Sequence, residues 1–384
     1  MKSKKILFLT GTRADYGKIK SLLKAIEHNA SCELYIYVTG MHLQEQFGAT
    51  YNEVIKDKYE NIHVAFGSNY TNNMSFNLGN VICNFTGYVE SIKPDLIVVH
   101  GDRIEALAGA CVGALNNIRV AHIEGGELSG TIDESIRHAI SKLSHFHFVS
   151  NVEAKIRLEQ LGENKDTIYI IGSPDIDIMC ADNLPQLDFV KKYYEINFSE
   201  YAIMMYHPVT TEYEFIAEKA RIVIEAAIDS GRNFIVIYPN NDLGSELILD
   251  SYKKIKGNSK FKIFPSLRFE YFLVLLKNSL FVYGNSSAGI RETAIYGIPT
   301  IDIGTRQLGR YDSSILKNIQ HVNEDKKSLI EAIERSSKYH HKSNIWGMGN
   351  SQELFMNVIE NEKFWNMTLQ KKFFDLRYVY DKKI

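Results

Sequence analysis

Short β-branched apolar runs that alternate with helical patterns limit this chain to one class of architecture. Ile6–Thr10, Leu34–Val38, Leu96–His100, Arg119–His122, Phe146–Val149 and Ile168–Ile171 each read as a strand buried on both faces. Such runs suit a parallel sheet covered by helices on each side. Helical patterns fall between them at Lys18–Glu27, Leu78–Ile92 and Ile104–Leu115. Strand and helix repeated in this way predict an α/β, doubly wound fold. The pattern pauses over Asn183–Ser199, around Pro185, and then restarts. Ala202–Tyr206, Phe234–Tyr238, Phe261–Phe264, Leu280–Tyr283 and Thr300–Ile303 are the next strands. Helices fit Ile216–Ile228, Leu243–Ile255, Phe269–Lys277 and Ala288–Tyr296. The chain thus reads as two Rossmann-like halves, residues 1–185 and 186–363. An amphipathic stretch over Phe364–Tyr380 predicts a final helix in residues 364–384. Ligands of such folds bind at the carboxyl ends of the strands, so a cleft between the halves is the expected site.

Composition narrows the partners. The 384 residues carry 44 basic and 46 acidic side chains, a net charge of −2. That balance argues against a broad nucleic-acid surface or a polybasic membrane patch. Cys32, Cys83, Cys111 and Cys180 form no C-x-x-C pair, so zinc and redox motifs are excluded and the thiols read as small apolar fillers. No spacing suggests a metal site. Ile6–Leu9 is too short for a signal sequence, and no run reaches the roughly 18 apolar residues of a membrane span. A cytoplasmic, soluble protein is expected.

Three clusters carry chemistry. Gly11-Thr12-Arg13 follows the first strand and opens a helix, a place where backbone amides favour an anion. It matches neither a dinucleotide fingerprint nor a Walker loop. Gly284-Asn285-Ser286-Ser287-Ala288-Gly289 follows another strand, with Glu292 one turn further on. Serines at a helix start offer hydroxyls and free amides to phosphate, and a carboxylate such as Glu292 suits ribose hydroxyls. The third cluster is acidic. Asp102 and Glu124 end two successive strands, and Asp133 and Glu134 open a helix over Ser135–Leu143 that carries Arg137 and His138. Three carboxylates in one crevice repel one another, so at least one pKa is expected to rise, as acid–base catalysis at neutral pH requires. Asp102 also has Arg103 beside it as an ion-pair partner. His42 follows the second strand, and His207 precedes Pro208 at a strand end. The other histidines, including His340 and His341, are expected in solvent.

These residues sit in motifs that resemble the hydrolysing UDP-N-acetylglucosamine 2-epimerases of sialic-acid biosynthesis. The matching segments are TGTRADYGK (10–18), VTGMH (38–42), VHGDR (99–103), HIEGGELSGT (122–131), SIRHAISKL (135–143), YHPVTT (206–211), YPNND (238–242), GNSSAGIRE (284–292) and IGTRQ (303–307). The resemblance implies a glycosyltransferase-B-like pair of Rossmann-like domains, with a C-terminal helix that returns to the first domain. It implies UDP held by Ser286, Ser287, Arg13 and His207, with Arg306, Asn240 and Asp242 on neighbouring loops and Glu292 on the ribose. His42, Arg103 and His138, which stand in the matching segments, complete the substrate-binding set. Asp102, Glu124 and Asp133 would be the catalytic carboxylates. The family has two aspartates where this chain has Asp133-Glu134, which leaves the second position without a carried-over role. The implied reaction eliminates UDP to 2-acetamidoglucal and then hydrates it to N-acetylmannosamine, with no cofactor. The implied partner is a nucleotide sugar, and a homo-oligomer, dimer or tetramer, is expected.

Four alternatives keep some of these features. The same chemistry on UDP- or GDP-N,N'-diacetylbacillosamine, for legionaminic acid, shares most of the motifs. A non-hydrolysing epimerase would release no free UDP. A glycosyltransferase shares the fold but would not exchange the C2 proton. A non-catalytic UDP-sugar binder would not need all three carboxylates.

Overall fold

The computed structural model describes residues 3–45, 48–67, 70–71, 73–128, 132–181, 183–239 and 242–375. The chain divides into two compact units. Unit 1 takes residues 1–180 and 345–384, and unit 2 takes residues 181–344.

Unit 1 is built on seven strands: β1 (Lys4–Thr10), β2 (Cys32–Val38), β3 (Ile62–Val64), β4 (Leu96–His100), β5 (Arg119–Ile123), β6 (Phe146–Val149) and β7 (Ile168–Ile170). They lie in the order β3-β2-β1-β4-β5-β6-β7, every pairing parallel. Its helices are α1 (Arg13–Glu27), α2 (Tyr51–Lys56), α3 (Met74–Ile92), α4 (Ile104–Leu115), α5 (Ile132–Leu143), α6 (Val152–Gln160) and α7 (Asp175–Met179). Unit 2 holds α8 (Leu187–Tyr193), β8 (Ala202–Met205), α9 (Ile216–Asp229), β9 (Phe234–Ile237), α10 (Ser245–Ser251), β10 (Phe261–Phe264), α11 (Phe269–Lys277), β11 (Val282–Gly284), α12 (Glu292–Tyr296), β12 (Thr300–Ile303), β13 (Ile319–Val322) and α13 (Lys326–Arg335). Its sheet runs β10-β9-β8-β11-β12-β13, again parallel throughout. Counted from its own first strand, unit 2 has the order 3-2-1-4-5-6 of a doubly wound sheet, and unit 1 has the same order with a seventh strand added at its end.

The strand patterns explain this. Leu96–His100 is buried at every position, as a central strand covered on both faces must be. The chain then returns to unit 1 through α14 (Ser351–Ile359) and α15 (Glu362–Asn366). Phe355 and Phe364 are buried among Phe8, Phe146 and Phe148, with ring centroids of Phe146 and Phe364 4.0 Å apart. Truncating one such phenylalanine costs about 3–5 kcal/mol, so the returning segment is part of the core.

Three expectations are corrected here. The last helix ends at Asn366, and residues 367–375 run on without helix; residues 376–384 lie outside the described part. The return to unit 1 begins at Ile345, because Trp346 accepts a bond from Ser173 N–H and Ser351 and Gln352 N–H bond Asp177. The cysteines are not buried fillers: Cys83 and Cys180 are exposed, and Cys32 and Cys111 half-buried.

Candidate active site

Strand order reverses between β1 and β4 in unit 1 and between β8 and β11 in unit 2. At such a point the loops diverge and leave a crevice outside the carboxyl ends of the strands. The motif residues gather there.

In unit 1, Glu124 follows β5 in a left-handed conformation, φ +62°. That conformation costs a non-glycine residue about 1–3 kcal/mol and is typical of functional sites. Gly126, also left-handed, follows; a side chain there would meet the Ala154 carbonyl. The buried Glu124 carboxylate is wrapped by donors. Ser173 Oγ donates to Oε1, while His100 Nε2 and Lys18 Nζ stand 3.3 and 3.6 Å from Oε2. Arg137 ties the next acid in. One of its amino groups donates to Asp102 Oδ2 and the other to the Glu124 carbonyl at 2.6 Å. Asp102 therefore pairs with Arg137 of α5. The three carboxylates do not simply repel one another, because cations are interleaved among them.

His100 lies between two acids, with Asp15 3.6 Å from Nδ1 on the other side. Burial disfavours the imidazolium, but the charges of Glu124 and Asp15 prevail and raise its pKa. Burial likewise opposes ionisation of Asp15, and His100 and Arg103 more than offset it, so Asp15 is held below the usual carboxylate range. His122 behaves oppositely. Burial drives it neutral, with Nε2 2.7 Å from the Gly101 carbonyl and Nδ1 3.0 Å from Ser141 Oγ. His145 and His147 are buried as well, so the expectation of solvated histidines fails for His100, His122, His145 and His147.

Arg103 precedes α4 and is 44% exposed on its side chain. Partial burial works against its charge, and Glu105, Asp15, Asp133 and Asp102 together sustain it. Asp133 stands in the first turn of α5, one turn before Arg137. His138 Nε2 meets Glu134 Oε1 at 3.1 Å along the same helix. Arg13 pairs with Glu53 at 2.8 Å. His42 is fully buried, its ring nitrogens 3.0 Å from Thr10 Oγ1 and 2.8 Å from Thr50 Oγ1. Burial lowers its pKa to about 4, so it is a neutral strut between the loops after β1 and β2.

Unit 2 presents backbone and hydroxyls. Gly284 ends β11 with φ +142°, and any side chain would run into the Met205 carbonyl. Asn285 then clamps the neighbouring loop: its Oδ1 accepts from His207 N–H at 2.7 Å, and its Nδ2 donates to the His207 carbonyl at 2.9 Å. Its own carbonyl accepts from Arg306 at 3.1 Å and Gln307 at 2.8 Å. Ser286 caps the turn that follows, and Ser287 is exposed beside it. Glu292 is buried in the first turn of α12. Asp242 lies on the loop before α10, where its carbonyl accepts from Ser245 N–H. Asn240 falls outside the described residues. Among the described residues, no cluster of three or more His, Cys, Asp or Glu could hold a metal ion, and no helix is long and apolar enough to cross a membrane.

The structure adds Lys18, Asp15, His100, Arg137 and Ser173 to the carboxylate site. The first four stand inside the motifs already named. Ser173 had a signal too: Gly172-Ser173-Pro174-Asp175 follows β7 and opens a short helix. A further acid, Glu105, is buried with Oε2 lacking a hydrogen bond. Burial raises its pKa, and its side chain fills the space that side chains at Gly11 and Gly40 would need.

Comparison with known proteins identifies the family. The sequence pattern of the family described as UDP-N-acetylglucosamine 2-epimerase matches residues 24–360. A UDP-N-acetylglucosamine 2-epimerase of Neisseria meningitidis is 48% identical over 97% of this chain and 99% of its own. A UDP-N,N'-diacetylbacillosamine 2-epimerase (hydrolyzing) of Legionella pneumophila is 34% identical over 96% of this chain and 98% of its own. Among solved structures, a UDP-GlcNAc 2-epimerase from Neisseria meningitidis bound to UDP-GlcNAc superposes with a TM-score of 0.80. It is 19% identical and covers 93% of this chain and 100% of its own, a likeness of fold.

Proposed function

The chain belongs to the UDP-N-acetylglucosamine 2-epimerase family, and from that premise we propose that it is the hydrolysing enzyme, which converts UDP-N-acetylglucosamine to N-acetylmannosamine and UDP for sialic-acid synthesis. The 48% identity across nearly the whole chain to an epimerase of that donor carries the proposal. The site is consistent with it. A weakly acidic C2 proton leaves only if departure of UDP from C1 is coupled to its removal, which calls for a placed base and a stabilised leaving group.

Asp102 and Glu124 are assigned the two proton events. One group removes the C2 proton as the C1–O bond to UDP breaks, leaving 2-acetamidoglucal. Water then adds at C1, and C2 takes a proton on the opposite face. Arg137, which binds Asp102 and the Glu124 backbone, fixes the two acids relative to each other. Asp133 assists water addition or sugar positioning. Ser286, Ser287 and His207 receive the diphosphate with Arg13, while Arg306, Asn240 and Asp242 help from neighbouring loops and Glu292 binds the ribose. The diphosphate binders offer cations, hydroxyls and amides to developing negative charge. No cofactor enters this scheme. A cytoplasmic homo-oligomer completes the proposal. In its support, α3 carries no charged residue from Met74 to Val89, although Phe76 is half exposed.

A diacetylbacillosamine donor is the second reading, favoured by the 34% identical relative. Free UDP release, measured side by side with UDP-N-acetylglucosamine and UDP-N,N'-diacetylbacillosamine, tests both. Turnover of the first donor alone is expected. Turnover of the second alone replaces the substrate, and turnover of neither removes the reading.

A further inference from the structure

The segment beyond α15 is held to unit 1 at a place no part of the proposed chemistry uses. Lys371 Nζ is directed at the carboxyl end of α5. It donates to the carbonyls of Ser141 (3.2 Å), Lys142 (2.9 Å) and Ser144, and it meets Glu163 Oε2 at 2.6 Å. The last carbonyls of a helix lack partners within it, and a cation there also balances the negative end of the helix dipole. A lysine has three N–H groups, so here all are spent on one helix end and one buried carboxylate.

The anchor is built. Glu163 is buried and also receives Lys142 Nζ at 2.7 Å and His147 Nε2 at 3.0 Å. Burial disfavours its charge, but His147, through its hydrogen bond above all, and then the two lysines lower its pKa. Burial drives His147 toward the neutral form, so the lysines carry the compensating charge. The flanks are tied down as well. Phe374 N–H donates to the Gly162 carbonyl at 3.0 Å, and Arg119 donates to the Trp365 carbonyl.

The helix that Lys371 caps is the one that carries Asp133 and Arg137. Its last turn is wired to the site a second way. Ser141 Oγ meets His122 Nδ1, and His122 Nε2 meets the carbonyl of Gly101, the residue before Asp102. A slide or rotation of α5 would therefore move Arg137, and with it Asp102, as well as Asp133.

We propose that Lys371 is a positioning residue: by capping α5 its ammonium, rather than the packing of the strap that carries it, sets the placement of Asp133 and of the Arg137–Asp102 pair and so tunes turnover from outside the site. This rests on the functional reading above.

The test compares Lys371→Met with Phe373→Ala in the full chain. Phe373 packs against Gly162 and beneath Lys142 Nζ but makes none of the Lys371 contacts, so its loss removes strap packing without removing the ammonium. For Lys371→Met, kcat for UDP release falls about tenfold while KM stays within about twofold. Amide hydrogen exchange speeds up at Ser141–Ser144, and UDP affinity by calorimetry is unchanged. For Phe373→Ala, kcat remains within about twofold. Glu163→Gln keeps the three carbonyl contacts and lowers kcat by about threefold; it serves where Lys371→Met does not fold. An unchanged kcat in Lys371→Met or in Glu163→Gln, a loss confined to KM, or an equal loss in Phe373→Ala overturns the proposal. Wild-type protein that releases no UDP from either donor defeats the functional reading instead, and the exchange rates then test the cap alone.

Discussion

The two switch points share a strand order but not a chemistry. In unit 1 the crevice is made of ionisable side chains: Asp102, Glu124 and Asp15 interleaved with Arg137, His100 and Lys18. In unit 2 it is made of backbone approach, with Gly284 against Met205 and Asn285 gripping His207 from both sides. The difference separates roles. Charges that must give and take protons need neighbours that stabilise them, whereas a diphosphate needs amides, hydroxyls and an arginine in fixed places. If this division is correct, changes at the unit 1 carboxylates damage turnover and changes at the unit 2 loops damage binding.

The largest effect is expected at Asp102. Asp102→Asn keeps the shape and the contact with Arg137 but removes the charge and the proton acceptor. Turnover should fall by about 10²–10⁴, with UDP affinity by calorimetry preserved. Loss of both together would erase the division and make Asp102 structural. Gly284→Ala is the converse probe. Its methyl group would collide with the Met205 carbonyl, so stability should drop by about 1–3 kcal/mol and UDP affinity with it. A variant that binds UDP normally would show that the close approach of β11 to β8 is not what shapes the loop.

A smaller effect is expected at His100, and it has a pH signature. Its folded pKa is raised above the ordinary histidine value by Glu124 and Asp15, against burial. A raised pKa contributes stability that is complete below the unfolded value and is lost as pH rises through the folded one. Urea unfolding of wild type and His100→Gln should thus differ most at pH 6, with the gap closing in alkali. A gap that widens with pH would mean that His100 is buried neutral.

Much of this was legible in the chain. The central strands were readable because burial on both faces leaves uninterrupted apolar runs, as in Leu96–His100. The two strands that were not, β3 and β13, are sheet edges. There His63, Gln320 and His321 break the run. The carboxylates were visible as strand-end acids. Their partners were not, because Lys18 comes from α1, Arg137 from the middle of α5 and Ser173 from the loop after β7, and they meet Glu124 and Asp102 only in the fold. The end of the chain misled for a related reason. Residues 364–380 have a helical apolar pattern, but from Met367 onward the described residues follow the surface of unit 1, where Lys371 and Phe374 find partners in α5 and Gly162.

The central claim is that the unit 1 carboxylates move a proton at C2 of the sugar while UDP departs. Proton NMR of the reaction with UDP-N-acetylglucosamine in heavy water tests it directly. The account predicts N-acetylmannosamine carrying deuterium at C2, together with free UDP. Product with hydrogen retained at C2 would contradict it.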